Sequence, residues 1–145
     1  MTVYTAAKYA QTPKWVADTG GCNVFAIYTF PASGLPTLTS GDTINMIQVP
    51  AGVTIIGVIL DVDKLDGGGS PAIKLNVGDS GSATRYVSQS TVGQTGGYQV
   101  PNINGAIGYL TSSTTGIFIT VQTTANGAVP ANANVRLLVS YTADP

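Results

Sequence analysis

The sequence predicts an all-β protein: a single-domain antiparallel sandwich, jelly-roll-like, with about eight strands and an extended N-terminal arm. Three observations carry this expectation. A chain of 145 residues is the size of one domain with a real core of its own. No stretch keeps apolar residues at i, i+3, i+4 and i+7 for three turns, so amphipathic helices are not expected. Short β-branched runs recur instead, set apart by turn clusters that spread 18 glycines and 8 prolines along the chain.

Residues 1–21 hold Tyr4, Tyr9 and Trp15 with Lys8 and Lys14, lack alternation and are broken at Pro13. They read as an arm ahead of a sandwich domain spanning 22–145. Residues 23–30 (NVFAIYTF) form the first strand, stopped by Pro31, and 31–40 (PASGLPTLTS) a Pro-broken connection. Residues 42–49 (DTINMIQV) end at Pro50, and Gly52 permits a tight reversal into 53–62 (VTIIGVILDV), the most apolar run. That run is apolar on both faces, with Val53, Ile55 and Ile59 set against Ile56, Val58 and Leu60. One face can fill a sandwich interior. The other needs a cover, so Ile56, Val58 and Leu60 are the candidate self-association residues, in a homotrimer whose symmetry covers each protomer's second face.

Residues 72–77 alternate cleanly, Ile73, Leu75 and Val77 inward and Lys74 and Asn76 outward. Strands follow at 83–89, 117–122 and 134–142, with a weaker one or two between 98 and 110. Asn104-Gly105 and Asn126-Gly127 suit tight turns, 78–82 suits a hairpin loop, and Gly67-Gly68-Gly69-Ser70-Pro71 reads as a flexible, solvent-facing tip.

Composition excludes several chemistries. The chain has no His and no Glu, seven Asp and one thiol, Cys22. A His-based triad, a His-ligated zinc and a paired-Glu glycosidase are therefore ruled out, and no enzyme activity is expected. A net charge of −1 with 9% charged residues offers no electrostatic case for nucleic acid or an anionic membrane as partner. A lone Cys cannot close an internal disulfide and reads as a small apolar strand residue. The start Met1-Thr2-Val3-Tyr4 has no signal-peptide pattern, no run approaches the length of a membrane helix, and a cytoplasmic origin is expected.

Three motifs invite sharper readings. Asp61, Asp63 and Asp66 could gather a hard cation, but the spacing misses the calcium-loop pattern and a solvated strand end accounts for it; no metal and no cofactor is expected. Gly67-Gly68-Gly69-Ser70 lacks the Lys-Ser/Thr ending and following helix of a phosphate loop. Trp15 with exposed tyrosines could form a sugar platform, which makes a carbohydrate-binding or host-attachment module the rival from another class. An enzyme working through Asp and Tyr is a weaker rival still.

The stretch Ser40-Gly41-Asp42-Thr43-Ile44 through Val49-Pro50-Ala51-Gly52 and on to Leu60, with Val77-Gly78-Asp79 and Arg85-Tyr86-Val87 later, resembles small capsid decoration (cement) proteins of tailed bacteriophages, of jelly-roll type. The matching part covers roughly residues 40–90, and its motifs are structural turns rather than chemical signatures. The resemblance implies a virion protein on the capsid surface, made in the host bacterial cytoplasm, that binds the major capsid protein and stabilises subunit junctions as a homotrimer. On that reading Tyr4, Lys8, Tyr9, Lys14 and Trp15 of the arm are the candidate capsid-contact residues, since aromatic anchors gain most inside a partner's pocket.

Overall fold

Period-two alternation builds two sheets whose apolar sides face each other, in a computed structural model that describes residues 1–11 and 21–143. The strands are β1 (Val3–Thr5), β2 (Gly21–Thr29), β3 (Thr43–Val49), β4 (Val53–Val62), β5 (Lys74–Asp79), β6 (Ser82–Ser90), β7 (Gly97–Gln99), β8 (Tyr109–Leu110), β9 (Thr115–Thr123) and β10 (Asn134–Ala143). One sheet has the order β1-β3-β9-β5-β6; the other runs β2-β10-β4-β7, with β8 also pairing β4. The result is the expected all-β, jelly-roll-like sandwich. Among the described residues, helix is confined to a 3-10 turn at Ala7–Ala10 and one turn at Val92–Thr95.

The core lies between the sheets. Ile44, Ile117 and Ile119 from the first meet Ile55, Leu60 and Leu137 from the second, all fully buried. Gly52 adopts a φ of 75°, the left-handed conformation that lets the Val-Pro-Ala-Gly turn reverse β3 into β4, and its N–H donates to the Thr111 carbonyl. Thr111 then locks the turn: its hydroxyl bonds the Pro50 carbonyl at 2.8 Å and accepts from the Val53 N–H at 3.1 Å.

Two sequence expectations change here. Residues 67–71 are a pinned junction rather than a loose tip. Asp66 is fully buried, and its carboxylate accepts backbone N–H groups from Gly68, Ala72, Ile73 and Asn126 at 2.8–3.2 Å. The glycines let this loop lie directly on its neighbour: a Cβ on Gly67 would collide with the Ala128 carbonyl, and one on Gly68 with Asn126. The glycine run therefore marks close backbone approach.

The second change concerns the arm, whose described residues lie on the sandwich. Residues 3–5 pair in parallel with Thr43, Ile44 and Asn45 at the edge of the first sheet. Asp42 fastens that strand by accepting the Thr2 N–H at 2.6 Å, and the Ala6 N–H reaches the Asn45 carbonyl at 2.8 Å. A three-residue strand carries too little periodicity to be read from sequence, but an unfilled sheet edge gives it partners.

Candidate subunit-contact surface

The outer face of the β2-β10-β4 sheet is apolar at its centre, and the strand register builds it row by row. Leu138 of β10 sits between Phe25 of β2 and Ile59 of β4. In the next row Arg136 lies between Ile27 and Asp61, and Tyr98 of β7 continues it beyond Asp61. On the other side Ser140 lies between Asn23 and Gly57, beside Ile56. Phe25, Ile27, Ile56 and Ile59 are 39–53% exposed and Leu138 is half-buried. Tyr98 at 72% and Leu110 at 48% extend the patch along the far margin of the sheet. The outer side of the other sheet is more polar, with Thr43 and Asn45 on β3, Thr120 and Gln122 on β9 and Lys74 on β5, and with Val3 and Phe118 as apolar residues among them. Asn76 of β5, expected to face outward, is buried, donating to Gln122 Oε1 and accepting the Gln89 N–H.

A β-bulge decides which apolar residues of β4 reach this face. Ser140 pairs with Gly57 and Tyr141 with Ile55, so Ile56 is an extra residue that reverses the alternation. Val53 and Ile55 point inward before the bulge, and Val58, Leu60 and Val62 point inward after it. This corrects the self-association set: Val58 and Leu60 belong to the protomer's own core. Ile56 stays exposed, with Ile59 beside it. Phe25 and Ile27 were overlooked, although residues 23–30 carry the same two-sided apolarity that singled out β4.

Charge on the face is confined to one cluster. Arg136 Nη1 lies 3.6 Å from Asp61 Oδ2 and 3.2 Å from Asp63 Oδ1. The Asp63 carboxyl is held below its ordinary range by the Asn134 backbone N–H first, then by the Asn134 side chain and Arg136, against its burial. Burial alone would raise Asp66, but the N–H donors of Asn126, Ala72, Gly68 and Ile73 outweigh it and hold its pKa at about 2. Of the three carboxylates in this stretch, Asp61 and Asp63 thus share Arg136, while Asp66 is occupied by backbone N–H groups. A fourth, Asp79, closes the β5–β6 turn through Gly81, Ser82 and a two-point contact with Arg85, whose guanidinium stacks 3.8 Å above the Tyr109 ring centroid.

Of the arm's candidate contact residues, Tyr4 packs on its own core, its ring centroid 5.5 Å from Phe30 and 5.7 Å from Tyr28. Burial first, then the Asp42 charge, raises its hydroxyl pKa. Tyr9 lies against Gly116, so closely that a Cβ there would meet its ring, and Lys8 donates to Gln11 Oε1 at 2.9 Å. Lys14 and Trp15 lie outside the described residues.

This architecture recurs in phage capsids. The chain is similar to one in the structure of the capsid of Ralstonia phage GP4, with a TM-score of 0.79, 21% identity and 99% of each chain covered. It is also similar to a chain of the Cyanophage Pam1 capsid asymmetric unit, with a TM-score of 0.72, 28% identity and 95% of each chain covered. A third likeness, to the acidic stable capsid structure of Helicobacter pylori bacteriophage KHP30, has a TM-score of 0.55 and 14% identity over 85% of this chain and 91% of that one. No family model matches the sequence, and no curated protein does.

Proposed function

We propose that this chain is a non-catalytic structural protein of a phage virion, a decoration or cement protein that binds the outer surface of the capsid and stabilises junctions between copies of the major capsid protein. Likeness over nearly the whole chain to a chain of the Pam1 capsid, at 28% identity, is the observation that carries the virion reading. The apolar sheet face supports contact with protein, because a contiguous apolar patch rimmed by polar residues marks such sites on otherwise soluble domains. Its centre is mostly aliphatic, with Ile27, Ile56, Ile59 and Leu138 around the single ring of Phe25 and Tyr98 out at the far margin. A sugar ring needs a platform of stacked aromatics, so this face favours a protein partner over the carbohydrate-binding alternative.

The magnitudes favour several linked copies. Burying on the order of 400 Å² of apolar surface is worth roughly 10 kcal/mol gross, and association costs about as much again. One patch alone therefore binds weakly. A homotrimer whose three protomers repeat the same capsid contacts on a symmetric lattice gains the rest through effective concentration. Ile56, joined by Ile59, is the self-association residue left after the bulge is taken into account. Lys8, Tyr9, Lys14 and Trp15 are the proposed capsid contacts of the N-terminal segment, with Tyr4 serving its own core. The test is to mix purified protein with heads that lack it and measure co-sedimentation. Saturable binding is expected; no binding to any head of the cognate phage overturns the proposal.

A further inference from the structure

We propose that β2 is a pairing edge for a second copy of this chain, joined antiparallel about a two-fold axis centred on Phe25. This two-fold contact through the strand edge is separate from the three-fold contact proposed through Ile56 and Ile59, and it does not rest on the capsid reading.

The argument begins with the hydrogen bonds that β2 leaves unmade. The Phe30 N–H donates to the Ala133 carbonyl at 2.9 Å, one step beyond the Thr29–Asn134 pair. Antiparallel pairs alternate between bonded and non-bonded, so Cys22, Val24, Ala26 and Tyr28 exchange bonds with β10. The backbone groups of Gly21, Asn23, Phe25, Ile27 and Thr29 point the other way. The Asp63 N–H bonding the Asn134 carbonyl at 2.9 Å fixes the same phase from the far side of β10. Among the described residues, none of the five outward N–H and five outward C=O groups has a backbone partner.

Open edges are normally blunted by charge, proline, a bulge, shortness or a cover. The other margins of this sandwich are. β1 has three residues; β4 is flanked by β7 and β8. On β6, Asn102 takes the Ser88 N–H at 2.8 Å, donates to the Ser88 carbonyl at 3.0 Å and sends its own N–H to the Tyr86 carbonyl at 3.1 Å. Among the described residues, β2 shows none of these devices: nine residues in unbroken register with β10, with no charge and no proline.

Its sequence is also self-complementary. In the register that sets Phe25 against Phe25 of the second copy, Asn23 meets Ile27 and Gly21 meets Thr29. All ten outward backbone groups of each strand then find partners, because the five bonding positions are symmetric about residue 25. No like charges face each other. The row Ile59–Leu138–Phe25 continues into its two-fold mate as one apolar stripe across the joined sheets. Partners of other sequence can lie along an open edge, but only a second copy is matched by construction in this way.

The test is a symmetric cross-link. Bonded antiparallel pairs place their Cα atoms about 5.5 Å apart, within disulfide reach. In a Cys22→Ala background, Phe25→Cys should form a covalent dimer under mild oxidation, whereas Ala131→Cys, in an exposed turn, should not. Adding Ile27→Pro to the Phe25→Cys chain removes no internal hydrogen bond, because that N–H points outward. It should leave the circular dichroism spectrum unchanged and cut the dimer yield at least tenfold. If the proline variant fails to fold, Asn23→Asp with Ile27→Asp, which opposes carboxylates across the two-fold, should do the same. A Phe25→Cys chain that cross-links no better than the Ala131→Cys control overturns the proposal, as does a folded β2 variant that cross-links as well as its parent. Head binding is measured separately, so losing either property leaves the other to be judged alone.

Discussion

Replacing Asp66 by Asn probes the junction that holds loop 67–73 to the turn at Asn126. The wild-type pKa of about 2 lies below the ~3.9 of an unfolded Asp, so the ionised group contributes roughly 2–3 kcal/mol at neutral pH. An amide forfeits that and has one acceptor where the carboxylate has two. With its oxygen serving Ala72, Ile73 and Asn126, its NH2 faces the Gly68 N–H, and a buried donor left facing a donor costs about 1–3 kcal/mol. Together the loss is about 3–6 kcal/mol, a large share of a typical domain's stability. The folded pKa is depressed, so this contribution is fully present above about pH 4 and is lost as pH falls through about 2. Urea unfolding of both proteins at pH 7 and pH 2 checks it. The expected gap is several kcal/mol at pH 7 and much smaller at pH 2. A gap under about 1 kcal/mol at pH 7, or one equal at both pH values, refutes the reasoning.

Three further outcomes follow from the same contacts. Among the described residues, none hydrogen-bonds the buried Tyr86 hydroxyl, and burial raises its pKa, so Tyr86→Phe should stabilise the protein by about 1 kcal/mol in chemical denaturation. Ile59→Lys places a charge in the middle of the apolar patch at a 39% exposed site; thermal stability should hold while capsid binding falls at least tenfold in co-sedimentation. Asp42→Ala removes the acceptor that fastens the Thr2 N–H and both Thr39 donors, so amide hydrogen exchange in residues 2–5 should accelerate while the core strands stay protected.

The strands were legible in the sequence wherever burial is one-sided. Alternation in 117–122 and 134–142 places the inward residues correctly, because a register slip would turn every apolar side chain to water. In 72–77 it does so for Ile73, Leu75 and Val77, whereas Asn76, expected outward, is buried by its bonds to Gln89 and Gln122. The Val-Pro-Ala-Gly turn was legible because Pro50 and Gly52 act locally. The Ile56 bulge was not, since a bulge depends on the partner strand and the run 53–62 is apolar at nearly every position. That is why Val58 and Leu60 were assigned to the wrong face. Asp66 and the glycines after it were misread for a related reason: their donors and near neighbours include Asn126 and Ala128, some sixty residues away. β1 escaped notice because three residues carry no period. The contact surface was half legible. Ile56 was named, but Phe25 and Ile27 drew no attention in a strand that ends normally at a proline.

The central claim is that this chain is built into a virion, and quantitative mass spectrometry of purified, intact heads of the cognate phage tests it most directly. The account predicts the chain at a fixed stoichiometry to the major capsid protein, at several hundred copies per head, and its loss from heads assembled with the Ile59→Lys variant. Heads that carry no copies of the wild-type chain, or only trace amounts that vary between preparations, would contradict it.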